Sequence, residues 1–366
     1  MKKFKPLPSQ PAPTDTVGII GWLKVNMFSS MGNSIASIVG IAFLITIIPP
    51  IIDWALISAN WIGDSQDDCT KDGACWVFVG AWMQQFIYGS YPEDQLWRIN
   101  ISFLLLPAVI IIQYYMPTEL RKKIGLLIIF TYPIICAAIL DGRLLGLDHV
   151  STDYWGGFML NIFLASAGII ASLPLGILWA LGRRSNMSFA RSVCVVSIEF
   201  FRGVPLLTLL FMGSVMLPLF FPAGTEVNKL VRTFIAISLF QSAYMAEVIR
   251  SGLQAIPEGQ YEAADSLGLG YWAKMRLIIL PQALKVSIPN IVSTFISLFK
   301  DTTFVIIIGL FEILTTVQSA LTNSDWLGGY WTEGYVFVAA VFWVCCFTMS
   351  RISASIEGKL NTDHKS

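Results

Sequence analysis

The sequence predicts an all-α integral membrane protein with about eight transmembrane helices, and three observations carry that prediction. Of the 366 residues, 55% are hydrophobic and 13% charged, and the mean hydropathy is +0.66, well outside the range of water-soluble domains. Apolar runs recur along the chain, most of them near the length of about 20 residues that a helix needs to cross the hydrocarbon core. Lysine and arginine cluster in alternate connections, as they do in loops retained on the cytoplasmic side. With 24 basic and 24 acidic residues the net charge is zero, and the overall balance gives no reason to expect a nucleic-acid partner.

The elements follow in order. Residues 1–31, with Pro6, Pro8, Pro11 and Pro13 among polar residues, are too polar and too rich in proline to pack, and read as a flexible cytoplasmic tail. The apolar runs cover 32–58, 101–116, 124–140, 155–181, 203–221, 233–249, 286–311 and 335–350, the second and the last being short. The long polar lead and the absence of a small-residue cleavage site make the first run an uncleaved anchor rather than a secretory signal. With eight spans every basic cluster shares one side: Lys2, Lys3, Lys5 and Lys24; Arg121, Lys122 and Lys123; Arg183, Arg184, Arg191 and Arg202; Lys274, Arg276 and Lys285; Arg351 and Lys359. Both termini are then cytoplasmic, including a tail at 359–366.

The opposite side receives the loop 59–98, which holds Asp64, Asp67, Asp68 and Asp72. Cys69 and Cys75 in that loop either close a small disulfide or stand as two unpaired thiols, whereas Cys136, Cys194, Cys345 and Cys346 fall in or beside apolar runs as buried thiols. Within the loop, 76–88 is apolar, aromatic and short, and predicts an in-plane or re-entrant helix. No GxxxxGK[ST] phosphate loop occurs, and His149 and His364 have no neighbours at metal-ligand spacing, so neither ATP binding nor metal chemistry is expected in this chain.

The connection 250–285 carries the most specific signal. Pro257 marks a helix start, Ala263, Ala264 and Leu267 follow at helical spacing, Gly268 and Gly270 interrupt, and Ile278 to Leu280 resume before Pro281, which is expected to break the backbone. Two short helices joined by a turn are predicted. Glu262-Ala263-Ala264, three residues, Gly268, nine residues, Ile278, one residue, Leu280-Pro281 is the spacing of the EAA loop of ABC importer permeases, which the segment resembles. An ordinary amphipathic loop helix would account for Glu-Ala-Ala alone, but not for agreement across the full spacing. A short helix held beyond the membrane can lie in a partner's groove as a lever, and the glycine permits a tight turn and close backbone approach.

The flanks EFFRGVPLL (199–207), SAYMAEVIRSG (242–252), LPQAL (280–284) and FISLFKDTT (295–303) resemble the polar-amino-acid branch of these permeases. The resemblance covers roughly 155–358 and implies a type I permease core of five helices (151–358). The extension of three spans (32–150) is similar to the larger permease of general L-amino-acid importers. It further implies that Glu262, Ala263, Ala264, Gly268, Ile278, Leu280 and Pro281 couple to a separate ATPase. The expected partners are two ATPase subunits that hold ATP and Mg, a second and different permease, a periplasmic amino-acid-binding protein and the lipid of a bacterial inner membrane.

Ionisable groups inside spans are functional candidates by default. Glu247, Lys300 and Asp301 are the clearest, with Gln241, Tyr244, Thr302 and Thr303 beside them. Asp301, Thr302 and Thr303 offer oxygens to a substrate ammonium and Lys300 offers a charge to its carboxylate. The competing readings are a Glu247–Arg250 ion pair and a tether between spans at Lys300 and Asp301. A secondary transporter would share the spans and the charges but has no use for an EAA loop, and a membrane-embedded enzyme would need clustered catalytic residues that the sequence does not show.

Overall fold

The computed structural model describes residues 18–70, 72–222, 227–326 and 329–360. The tails 1–17 and 361–366, with Lys2, Lys3, Lys5 and His364, lie outside the described residues, as do the side chains of Lys122, Lys123 and Lys359. Among the described residues the chain is helical, with three isolated bridges and no strand. It divides into two compact units, Met1–Val77 and Phe78–Ser366.

The first unit holds α1 (Gly18–Asn26) and α2 (Met31–Ile52), the latter continued by a wide π-turn at Asp53–Ile57. Ser30 caps α2, its hydroxyl accepting from the Asn33 N–H at 3.2 Å. No residue of α2 is buried, which in water would be untenable for a helix apolar on every side but suits one surrounded by lipid. After it the chain folds into a loop in which Asn60 bridges Cys75, and Cys69 and Cys75 are joined as a disulfide with Cα atoms 5.5 Å apart. The Trp76 ring stacks on Trp61 at 5.8 Å, and its indole N–H donates to the Ala55 carbonyl at 2.7 Å.

Helix α3 (Trp76–Tyr88) has 13 residues and is about 20 Å long, too short to cross a bilayer, as expected of a re-entrant or in-plane segment. In the second unit its Phe78 packs on Trp326 and Tyr330, and Phe86 on Phe337. Next come α4 (Leu96–Tyr115) and α5 (Leu126–Asp141), then α6 (Gly157–Arg183), α7 (Ser188–Gly203), α8 (Leu206–Phe211), α9 (Lys229–Gln254) and α10 (Glu258–Ser266). The unit ends with α11 (Tyr271–Ile308), α12 (Ile313–Ala320) and α13 (Trp331–Leu360). Helices α6 and α9 lie so close that a Cβ on Gly176 would stand 2.6 Å from Met245 Cγ. Around that contact Ala180, Ile198, Met245, Ile249 and Ile279 form one core, and Leu160, Leu164, Leu210, Ile237 and Leu298 form another.

Several expected boundaries are corrected. Among the described residues five helices are long and apolar enough to cross a membrane, and the pair Ser188–Gly203 and Leu206–Phe220, bent by 103°, makes a sixth. Eight crossings are reached only if α5, which is short, and α9, which is rich in polar residues, also cross. The fifth run does not begin a straight span at 203. Pro205 has no N–H to donate and forces Val204 into the extended conformation (φ −101°, ψ 131°), so the helix ends there and restarts at a steep angle. The seventh begins at Tyr271, well before residue 286, and runs 38 residues. Pro281 does not break it: a π-turn at Met275–Ile279 precedes, and the proline sits in the first turn of the following α-helical stretch, where its missing N–H costs little. The connection after α9 is therefore the short helix α10 and its turns, and the second short helix expected there is the start of α11.

Candidate functional site: a polar groove, an ion-pair cluster and a loop helix

Helices α9 and α11 flank a cavity of about 300 Å³ lined by Phe240, Gln241, Tyr244, Ser293, Thr294, Ser297 and Asp301. Ser293, Ser297 and Asp301 recur every four residues and so share one helix face. On the facing helix Phe240 and Tyr244 are likewise four apart, with ring centroids 5.0 Å from each other. The Gln241 amide donates to the Thr294 carbonyl at 2.6 Å, which joins the two walls. Asp301 is the charged member of a lining otherwise made of hydroxyls, an amide and aromatic rings, an arrangement that accepts a cationic group such as an ammonium.

Three of the predicted path residues, Gln241, Tyr244 and Asp301, meet in this groove, and the other four do not. Thr302 is fully buried; its hydroxyl donates to the Phe299 carbonyl at 2.7 Å and accepts from the Asn161 amide at 2.9 Å. Thr303 donates to the Lys300 carbonyl at 2.9 Å, and Lys300 is exposed away from the lining. Adjacent residues on a helix point about 100° apart, so the run 300–303 is distributed around α11. Ser293, Thr294 and Ser297 were legible in the sequence as hydroxyls at helical spacing before Asp301, but carry no charge to single them out. Asn161 and Glu312 were missed altogether. Both are completely buried, and the Glu312 carboxylate accepts from Asn161, from the Leu314 and Thr315 N–H groups and from the Thr315 hydroxyl. Their contacts tie α6, α11 and the start of α12 together.

Glu247 takes the ion-pair reading, with more partners than Arg250 alone. Its carboxylate lies 2.8 Å from Arg250, 2.9 Å from Arg183 and 4.0 Å from Arg202. Arg183 also pairs with Glu199 at 2.9 Å, so side chains from α6, α7 and α9 meet in one cluster.

The loop helix α10 starts after Pro257 and buries Ala264, while Glu262 and Ala263 face outward. Gly268 has φ +70°, and around it the Gly268 N–H donates to the Asp265 carbonyl at 2.9 Å and the Leu269 N–H to the Ala264 carbonyl at 3.3 Å. These two bonds make a Schellman cap, whose left-handed residue is a glycine for want of a Cβ. The tight turn is thus present, and among the described residues outside its chain neighbours none comes within 4 Å of where a Gly268 Cβ would stand. Ile278 and Leu280 are half-buried on α11 and Pro281 is exposed. Lys274 holds Asp265 at 2.5 Å, Gln282 donates to Gln260 at 3.1 Å, and the Tyr261 hydroxyl donates to the Leu253 carbonyl at 3.1 Å. Leu267 at the cap and Trp272 beyond it are 73% and 70% exposed.

The family described as binding-protein-dependent transport system inner membrane component matches residues 172–362. An inner membrane amino-acid ABC transporter permease protein of Escherichia coli K12, YhdY, is 49% identical over 355 residues, covering 97% of this chain and 96% of its own. A glutamate/glutamine/aspartate/asparagine transport system permease protein of Rhodobacter capsulatus, BztC, is 38% identical, covering 98% of each chain. Among solved structures, that of an amino acid ABC transporter with histidines superimposes with a TM-score of 0.50 at 30% identity, covering 56% of this chain and 92% of its own.

Proposed function

Because the chain belongs to the family of inner membrane components of binding-protein-dependent transport systems, we propose that it is the permease subunit of an ATP-driven importer of polar L-amino acids. A member of this family is a multi-pass inner-membrane protein and is not itself the catalyst. The observation that carries the reading is the loop helix: a nine-residue helix, capped by Gly268, latched to α9 and α11 from behind, and presenting Glu262, Ala263 and Leu267 outward. In this reading the helix seats in a groove of an ATPase, and Ile278, Leu280 and Pro281 join it to α11. Exposed Leu267 and Trp272 extend the contact, since large apolar side chains held clear of a protein's own core mark interaction sites.

Two ATPase subunits would supply ATP and Mg, a second permease of different sequence the other half of the pathway, and a periplasmic amino-acid-binding protein the substrate. The termini then lie in the cytoplasm, and the groove between α9 and α11 forms this chain's half of the path, with Asp301 receiving the substrate ammonium. Residues 32–150 form an extension outside the five-helix core at 151–358. Support for that division comes from the solved amino acid transporter, which is matched over nearly its whole length by little more than half of this chain.

The test is purification of the tagged chain from its host in mild detergent, followed by reconstitution of whatever accompanies it. Co-purification of an ATPase and a second permease, with ATPase activity that rises on adding binding protein loaded with an amino acid, is the expected outcome. A solitary chain that moves amino acids without ATP would overturn the reading.

A further inference from the structure

Two of the motifs quoted above, EFFRGVPLL and SAYMAEVIRSG, lie some forty residues apart, yet their four charged residues meet in one place. Glu199 and Arg202 come from α7, Glu247 and Arg250 from α9, and Arg183 from the end of α6 stands between them. The cluster holds three arginines, Arg183, Arg202 and Arg250, against two carboxylates, Glu199 and Glu247. One positive charge is in excess.

The excess falls on Arg202. Arg183 and Arg250 approach Glu247 at hydrogen-bonding distance, whereas Arg202 stands 4.0 Å from it, and its side chain is 37% exposed. Its guanidinium lies instead over the Tyr244 ring, 5.8 Å from the centroid, and Tyr244 lines the groove. Arg202 therefore touches both the groove wall and the charge cluster. On the far side the cluster leads to the loop helix by two routes. Arg184, next to Arg183, lies 5.7 Å over the Tyr261 ring of α10 and donates to its hydroxyl at 3.2 Å. Arg250 donates to Gln254, the last residue of α9, at 2.9 Å, beside Leu253 whose carbonyl accepts from Tyr261.

We infer that Arg202 is the positioning residue through which occupancy of the groove is read by the loop helix. A substrate that moves the Tyr244 ring shifts the guanidinium stacked on it toward or away from Glu247. That redistributes the pairing of Glu247 among its three arginines and so the set of the ends of α6 and α9 on which Tyr261 rests. The weak, long contact suits this role, because the Arg202 guanidinium, 4.0 Å from Glu247, can approach or recede without first breaking a hydrogen bond of its own to that carboxylate. The inference rests on the importer reading above.

The excess charge makes the role separable from a structural one. Replacing Glu247 would leave three arginines facing one carboxylate and endanger the fold, but Arg202→Gln leaves two arginines against two carboxylates. The complex carrying Arg202→Gln is expected in normal amount and with an unchanged melting temperature. Its ratio of amino-acid-stimulated to basal ATPase activity should fall on the order of tenfold, within the usual range of coupling between sites, and the KM of residual import should not change. Arg202→Lys, which keeps the charge but not the planar stack on Tyr244, should fall between the two.

An unchanged stimulation ratio in Arg202→Gln overturns the inference, as does a raised KM, which would make Arg202 a substrate ligand. Failure of both variants to assemble also overturns it, because the charge count assigns Arg202 no structural duty. If the unaltered complex shows no stimulation by amino acid at all, it is the importer reading that fails and not the role of Arg202.

Discussion

At Gly268 one backbone angle carries the assignment of the loop helix. An L-residue held at φ near +70° costs roughly 1–2 kcal/mol, least for asparagine and aspartate, and the space around this glycine is open among the described residues, so alanine there strains the cap without a clash while aspartate chiefly adds a charged side chain to the outward face. Gly268→Asp is expected to reach the membrane in normal amount yet lose ATPase attachment and uptake, with Gly268→Ala isolating the backbone cost alone; normal uptake by the aspartate variant would count against the coupling role. Asp301 offers a different kind of test, since it is the charged group of the groove lining. A charge-assisted hydrogen bond contributes about 1.5–3 kcal/mol, and Asp301→Asn should raise the KM for uptake by about tenfold or more with little change in abundance. The same substitution leaving uptake kinetics untouched would remove Asp301 from the path. Thr302, equally polar in sequence, is not expected to act this way, because it is already saturated by Asn161 and Phe299.

Among the elements, the loop between α2 and α3 shows how little covalent and polar material is needed to order a short segment. Its Asp68 carboxylate accepts from the Asp64 N–H, the Ser65 N–H and the Ser65 hydroxyl at 2.9, 3.0 and 3.1 Å, and these bonds, the Asp64 one foremost, hold its pKa below the ordinary value. A depressed folded-state pKa means that the stabilisation is present above the unfolded value of about 3.9. It is lost as the pH falls through the lower, folded value. The disulfide closes a ring spanning six residues of sequence separation, for which the loop-entropy relation gives on the order of 2 kcal/mol. Limited proteolysis should find the loop protected at neutral pH and open only in acid below about pH 4, while Asp68→Asn or reduction of Cys69–Cys75 should expose it at pH 7. Equal protection in all forms would show that neither feature orders it. The helix pair α7 and α8 makes the complementary point, since a single proline at their junction ends one helix and starts the next at 103° to it, so that what reads as a basic connection followed by an apolar run is one bent pair.

At the scale of the whole molecule, the class and the most specific feature can be read from residue order alone. Lipid demands internally bonded helices whose length matches the bilayer, and that demand is written in composition and run length, so the membrane class and most of the apolar helices were legible. The EAA spacing was legible because a capped helix and its turn are local, set by residues a few positions apart: Ala264, Asp265, Gly268 and Leu269 make their own bonds. Which polar side chains face one another is settled instead by how the helices pack. Asp301 and Thr302 are neighbours in sequence, but one lines a groove and the other closes a buried knot with Asn161, 141 residues away. Glu247 was readable as a partner of Arg250 three positions on, but not of Arg183 and Arg202 on other helices. The start of α11 was misplaced, and the bend from α7 into α8 missed, for a related reason: hydropathy measures how apolar a residue is, not where a proline or a π-turn bends or carries on the backbone. Helix rotation and crossing are fixed by packing, as Gly176 against Met245 shows, and no periodicity within a single run records them.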